Sequence, residues 1–317
     1  MEIDPGLFRE DAISDETKTF NAQLQALLSS LPKTSSATPD EIRAERRSGQ
    51  SFWGPVVHSD HARNIVIEGP GGALELRIIE VGTPRGVYLH IHGGGWVLGG
   101  ADLSDVANEA MALATGCAVV SVDYRLAPEH PYPAGIEDCI AGAVWLIAHA
   151  EETFGTDVLT IGGESAGANL AAATLLGVRD RVGYSGWRGA NLVYGSYLPG
   201  GTPSVHHWDQ DGLVLDSDTM MWFRDHYSPQ EEPGIDDPLY APLYGRLDAL
   251  PPALFSVGTR DPLLDDTLFM AMRWLAAGND AELAIYPGGI HGFDAFPIEI
   301  GIAARQRMHA FIAEAAS

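Results

Sequence analysis

The chain has 317 residues, 45 % of them hydrophobic and 20 % charged, which excludes wholesale disorder and leaves ample material for a buried core. Nineteen Lys and Arg against 43 Asp and Glu give a formal charge of −24. Such a surface repels phosphate backbones and anionic membranes, and so sets nucleic acid and stable membrane association aside as partners.

Length alone permits one large or two ordinary domains. The N-terminus, from Met1 to Asp11, is acidic and carries no charged-then-apolar signal pattern. No window approaches ~18 uninterrupted apolar residues, so the expectation is a cytoplasmic protein. Phe20, Leu24, Leu27, Leu28 and Leu31 recur at helical spacing within Leu7–Leu31, and Pro32 ends that helix. A second short helix is predicted from about Asp40 to Gly49. Strands follow at Ile65–Ile67, Leu74–Val81, Val87–Ile91, Cys117–Val122, Val158–Ile161, Ala190–Tyr194, Ala253–Val257 and Leu283–Tyr286. Helices are predicted between them at Ser104–Thr115, Ile136–Thr153, Ala166–Val178 and Leu264–Ala277, and after them at Ile302–Ala315. This alternation predicts a mostly parallel sheet with helices on both faces. A long stretch between Tyr194 and Pro251 breaks the rhythm; it holds a helical pattern at Ser217–Tyr227 and reads as an insertion. Cys117 falls in a strand and Cys139 in a helix, so both are expected to be buried free thiols.

Gly163-Glu164-Ser165-Ala166-Gly167 lies between a predicted strand and a predicted helix. A serine on such a turn lifts its hydroxyl above the sheet edge, with the helix N-terminus offering unpaired N–H groups. His92-Gly93-Gly94-Gly95-Trp96 also follows a strand, and its glycines leave backbone donors unshielded. A phosphate cradle would need a following Gly-Lys-Ser/Thr, which is missing. A serine nucleophile needs a base, and the base an orienting acid. His291 and Asp261 each follow a strand, and the order Ser165, Asp261, His291 suits the nucleophile-elbow arrangement. Asp265 and Asp266 are rivals for the acid, but inside the next helix they are expected to face solvent or cap its start. Glu164 shares the serine's turn and His92 is expected to hold the glycine loop. His90, His92 and nearby acids match no metal-ligand spacing, and neither a metal nor an organic cofactor is expected.

Together these residues resemble the hormone-sensitive-lipase-like esterases, a branch of the α/β-hydrolases. The similarity is carried by His92–Trp96, Asp123-Tyr124-Arg125-Leu126-Ala127-Pro128-Glu129, Gly163–Leu170, Asp261-Pro262-Leu263 and His291-Gly292-Phe293, in the family's order. Glu164 departs from it, since members usually have Asp there. The resemblance implies an α/β-hydrolase fold: an eight-stranded, mostly parallel sheet, with a helical cap from residues 1 to about 50 and an insertion at about 196–250. It implies oxyanion donors at the N–H groups of Gly94, Gly95 and Ala166, and a supporting role for the Tyr124–Glu129 turn. It also implies hydrolysis of short- to medium-chain carboxylic esters, with Ser165, Asp261 and His291 catalytic.

Trp96, Tyr197, Leu198, Trp208, Ile290 and Phe293 are expected to bind substrate, with Tyr194, Met220, Met221, Trp222 and Phe223 further candidates; core packing is the alternative for each. An amidase, such as an arylformamidase, or a non-catalytic small-molecule receptor would use the same fold, although such receptors lack the histidine. The strand at Leu283–Tyr286 and the last helix serve either a homodimer contact, as the resemblance implies, or ordinary core. Residues 209–248 hold ten acids and two bases, −8 of the total −24. A solvated face and salt tolerance both explain this; a negative entrance that disfavours anionic esters and expels carboxylate products is a third reading.

Overall fold

The computed structural model describes residues 2–208, 213–228 and 234–317. Two helices come first: α1 (Asp15–Leu28), capped by Ser14, and α2 (Pro39–Ser48), opened by a Thr38–Glu41 capping box and closed by Gly49. Then strands and helices alternate: β1 (Ala62–Gly69), β2 (Gly72–Ile79), β3 (Val87–Ile91), α3 (Asp105–Thr115), β4 (Ala118–Val122), α4 (Ala134–Phe154), β5 (Leu159–Glu164), α5 (Ala166–Val182) and β6 (Gly189–Val193). After β6 come α6 (Pro203–His206) and α7 (Ser217–Tyr227). The chain then returns to the sheet as β7 (Ala253–Arg260), α8 (Leu264–Ala276), β8 (Ala281–Ile290) and α9 (Glu299–Ala315).

The eight strands form one sheet in the order β1-β2-β4-β3-β5-β6-β7-β8. The hairpin β1–β2 and the pair β2–β4 are antiparallel, and the remaining five pairs are parallel. Parallel strands need both faces covered, which is why β3, β4 and β6 are mostly apolar and buried throughout, with His90, Ser121 and Asn191 their buried polar residues. Leu89, Ile91, Val120 and Ile161 pack with α4 and α5 on one face. Tyr88 and Val119 meet Met111 and Ala112 of α3 and Ile312 of α9 on the other. Cys117 and Cys139 are buried free thiols. No described helix is long and apolar enough to cross a membrane.

Two elements differ most from their sequence patterns. The first helix begins only at Asp15, because two short 3-10 turns at Pro5–Phe8 and Glu10–Ala12 precede it. β8 does not stop at Tyr286 but continues through Gly288 and Gly289 to Ile290, with a register shift against β7 between Gly258 and Arg260. A Cβ on Gly258 would meet the backbone of Gly289 at 2.0 Å, so this pair permits close strand approach, while Gly288 holds a left-handed φ of 76° against Ile13 and Thr17.

Candidate active site

Ser165 stands between β5 and α5 with φ 57° and ψ −123°, a conformation that costs a non-glycine residue roughly 1–3 kcal/mol. The surroundings hold it there. Its N–H donates to Val193 O at 2.9 Å, and its carbonyl accepts from the N–H groups of Ala168 and Asn169. Its side chain makes no helix-capping bond, so the hydroxyl stays available. A Cβ on Gly167 would meet Ile91 O at 2.0 Å, so only glycine lets α5 lie this close to the end of β3.

The hydroxyl does have a partner. His291 Nε2 lies 3.0 Å from Ser165 Oγ, and His291 Nδ1 lies 2.9 Å from Asp261 Oδ2. Asp261 is fully buried at the end of β7, and its other oxygen accepts the Leu263 N–H at 2.9 Å. A buried carboxylate so placed fixes Nδ1 as the donor and leaves Nε2 free to accept the serine proton. Tyr194, at the end of β6, sets its ring centroid 4.7 Å from that of His291 and donates to Asp294 Oδ1 at 2.6 Å. Burial raises the Asp294 carboxyl above its ordinary range, and the tyrosine hydroxyl works against that rise.

The glycine turn after β3 faces the serine. Gly94 (φ 115°) and Gly95 (φ 60°) have left-handed backbones. A Cβ on Gly94 would strike Leu98 O at 2.3 Å, and one on Gly95 the Phe223 ring at 2.2 Å. Among the described residues, the N–H groups of Gly94, Gly95 and Ala166 have no acceptor, whereas that of Gly93 is taken by Glu164 Oε1 at 2.8 Å. Glu164 Oε2 in turn meets His90 Nε2 at 3.1 Å, and His90 Nδ1 lies 2.9 Å from Ser121 Oγ and 3.1 Å from Asn108 Nδ2. Burial pushes the Glu164 carboxyl up, but His90 and the Gly93 N–H outweigh it and hold it below its ordinary range. His92 stacks on Tyr124 at 4.2 Å and bonds Gly93 O through Nδ1; burial lowers its pKa. Glu129 is tied to Arg43, and Asp123 accepts the Ala101 N–H.

A cavity of about 1200 Å³ opens in front of Ser165 and His291. Leu28, Ile42 and Phe52 of the N-terminal segment and Leu215, Met220 and Phe223 of the β6–β7 segment form part of its wall. Of the residues expected to bind substrate, Trp96 lines it, stacked on Tyr227 at 4.5 Å. Tyr197, Ile290 and Phe293 are instead fully buried in core clusters, and Leu198 packs against the core. Trp208 is partly exposed and does not line the cavity. Apolar residues flanking an active-site strand belong equally well to packing, and here packing takes them.

The acidic segment is also more engaged than its sequence implies. Asp216 caps α7, Asp237 accepts from Tyr132, and Asp248 pairs with Arg246. Asp209, Asp211, Glu231 and Glu232 lie outside the described residues.

Asp266 overturns its expected place. It does not face solvent: it is fully buried and accepts from the N–H groups of Tyr197 and Leu198 at 2.8 and 3.0 Å and from the Thr202 hydroxyl at 2.6 Å. Asp265 beside it accepts the Ser204 N–H at 2.9 Å. Sequence gave no sign of this clamp, nor of the His90–Asn108 contact, because the partners are far apart along the chain. Burial raises the Asp266 carboxyl to about 7, against the pull of its three donors. A raised carboxyl pKa means that the native state holds the proton more tightly than the unfolded chain. The stabilisation is complete below the ordinary carboxyl range and is lost as pH rises through about 7. Asp266→Asn should remove this dependence, so the wild-type melting temperature should fall relative to the variant's by roughly 5 °C between pH 5 and 8. Thermal melts at both pH values check this, and a constant gap would refute it.

The geometry therefore offers a hydroxyl, an imidazole and a buried carboxylate in series, facing unpaired N–H donors. The family described as having the alpha/beta hydrolase fold matches residues 88–295 of this chain. The chain is 33% identical over 270 residues to the carboxylic ester hydrolase LipN of Mycobacterium tuberculosis, covering 81% of this chain and 71% of that one. It is 36% identical over 226 residues to the carboxylesterase NlhH of the same species, covering 69% of each. The hyperthermophilic esterase of Pyrobaculum calidifontis superposes with a TM-score of 0.84 at 30% identity, covering 94% of this chain and 98% of that one.

Proposed function

Since the chain belongs to the hormone-sensitive-lipase-like family of α/β-hydrolases and is a carboxylic ester hydrolase, we propose that it works through Ser165, His291 and Asp261 on esters of short- to medium-chain acids. The observation that carries this reading is the unbroken series from Ser165 Oγ to His291 Nε2 and from His291 Nδ1 to Asp261 Oδ2. Ser165 attacks the ester carbonyl while His291 takes its proton, and Asp261 stabilises the imidazolium that forms. The oxygen that becomes negative is met by the N–H groups of Gly94, Gly95 and Ala166, helped by the positive end of α5. His291 returns the proton to the leaving alcohol, an acyl-serine remains, and water activated by the same imidazole releases the acid.

On this reading residues 1–50 and about 196–250 form the cap, and the rest is the catalytic domain. The support is that Leu28 and Ile42 on one side and Leu215, Met220 and Phe223 on the other wall the same cavity. Such a roofed space suits bounded acyl chains better than an emulsion surface.

A panel of p-nitrophenyl esters tests the substrate class. Butyrate and hexanoate should exceed palmitate in kcat/KM by at least about tenfold, since each misplaced methylene is worth about 1–3 kcal/mol. A neutral ester should beat a matched anionic one by a margin that shrinks with salt. Faster turnover of long-chain triglyceride, or of a matched anilide, would overturn the substrate assignment. A salt-independent margin would count against the acidic entrance.

A further inference from the structure

The helix α2 lies over the cavity without an apolar face to hold it, since Pro39 is its one buried residue. Its arginines dock it instead. Arg43 Nε donates to Val97 O at 2.8 Å and Nη2 to Ala127 O at 2.6 Å; Nη1 and Nη2 hold the Glu129 carboxylate at 2.6 and 3.0 Å. Arg46 donates to Gly54 O at 2.8 Å, and Arg47 pairs with Asp102 at 3.0 Å.

The two carbonyls that Arg43 grips belong to the frame of the glycine turn. The N–H groups of Val97 and Leu98 both donate to Gly94 O, at 3.1 and 2.8 Å, and the Ala127 N–H donates to Trp96 O at 3.0 Å. One planar guanidinium thus bridges the chain leaving Gly94–Trp96 and the chain that supports it. The Glu129 half of the contact is partly exposed and is worth little by itself. The carbonyl half is different: its charge-assisted bonds are part-buried and fix the orientation of peptide planes. Oxyanion donors act only within a few tenths of an ångström of the right place, and a 1 Å error can cost about 100-fold.

We propose that Arg43 is a positioning residue for the oxyanion donors, through which the docked cap helix α2 sets the glycine turn. The inference rests on the reading of Ser165, His291, Gly94 and Gly95 given above. It predicts a defect in turnover rather than in binding, although Arg43 also reaches the cavity wall.

The test uses the full chain with Arg43→Met and Arg43→Lys, assayed on p-nitrophenyl butyrate. Turnover is expressed per active site titrated with an organophosphate, which separates misfolded from mispositioned enzyme. Arg43→Met should lower kcat per titrated site by about 10- to 100-fold with KM within about threefold. Affinity for a trifluoromethyl ketone, which forms a tetrahedral adduct on serine, should fall by the same factor as kcat/KM. Lysine keeps the charge but cannot bridge both carbonyls, so Arg43→Lys should lose at least about threefold in kcat; it decides the matter if the methionine variant yields no titratable sites. Smaller losses, a loss carried by KM alone, or a loss confined to the number of titratable sites would overturn the proposal. Full activity in Ser165→Ala would instead overturn the reading on which it rests.

Discussion

Ser165→Ala should lower kcat/KM on p-nitrophenyl butyrate by about 10⁵-fold, while leaving fold and melting temperature nearly unchanged. The magnitude follows from triad chemistry: with the nucleophile gone, only the oxyanion donors and binding act on water, leaving a residual of about 10³–10⁴ over the uncatalysed rate. Stability should hold because the Ser165 side chain makes no capping bond to α5 and its backbone is fixed by the N–H bond to Val193. Alanine has the same Cβ as serine, so the strained turn is neither relieved nor worsened. One side-chain hydrogen bond, to His291, is lost. The measurement pairs steady-state rates with a mass shift on organophosphate treatment, which the wild type should show and the variant should not. Activity above about 1 % of wild type in rigorously purified variant would exclude Ser165 as the nucleophile.

Asp261→Asn should cost about 10⁴-fold in kcat without disturbing the site's packing. The argument runs through proton geometry. Asp261 accepts from Leu263 N–H with one oxygen and from His291 Nδ1 with the other. Asparagine keeps only one acceptor, and the Leu263 N–H demands it. The amide NH₂ is then turned toward Nδ1 and donates to it, which places the ring proton on Nε2. An Nε2–H cannot accept the Ser165 proton, so the base is lost although every atom remains nearly in place. Rates across pH, with ¹H NMR of the imidazole proton, check the tautomer directly. A variant within tenfold of wild type, or one whose proton stays on Nδ1, would exclude this role for Asp261.

The sheet was legible because buried parallel strands are short apolar runs, and the runs at Val87–Ile91 and Cys117–Val122 met the observed β3 and β4 to within a residue. Helix α7 coincides with the helical pattern at Ser217–Tyr227, set off by the Pro- and Gly-rich loops that flank it. The continuation of β8 was not legible. Gly288-Gly289 has the letters of a turn; what explains the glycines within the strand is the facing Gly258 for Gly289, and a left-handed φ beneath Ile13 and Thr17 for Gly288. The three residues proposed for the triad could be nominated because each follows a strand and their order is constrained. Glu164 and Asp266 could not be placed, since an acid in a turn or a first helical turn has the same pattern whether it caps, pairs with His90 or receives a distant loop. The cavity wall was the least legible part. Trp96 and Phe293 are both large apolar residues beside proposed catalytic groups and both are buried in the core, yet of the two Trp96 alone also lines the cavity. Side-chain direction at a strand end depends on bulges and left-handed residues that local pattern does not fix.

The clamp at Asp265 and Asp266 bears on how such an enzyme can be rebuilt. Four residues of the β6–β7 segment, Tyr197, Leu198, Thr202 and Ser204, are received by two side chains that begin α8, five residues or fewer past Asp261. The exchangeable unit is therefore not the proposed cap segment 196–250 alone. A roof grafted from another enzyme would arrive without its matching receptors and leave a buried carboxylate with no donors. Chimeras should instead be cut so that the incoming segment travels with its own version of residues 262–266. The alternative is to graft only beyond Ser204, where the recipient's clamp stays whole and substrate preference can change without re-registering the acid behind His291.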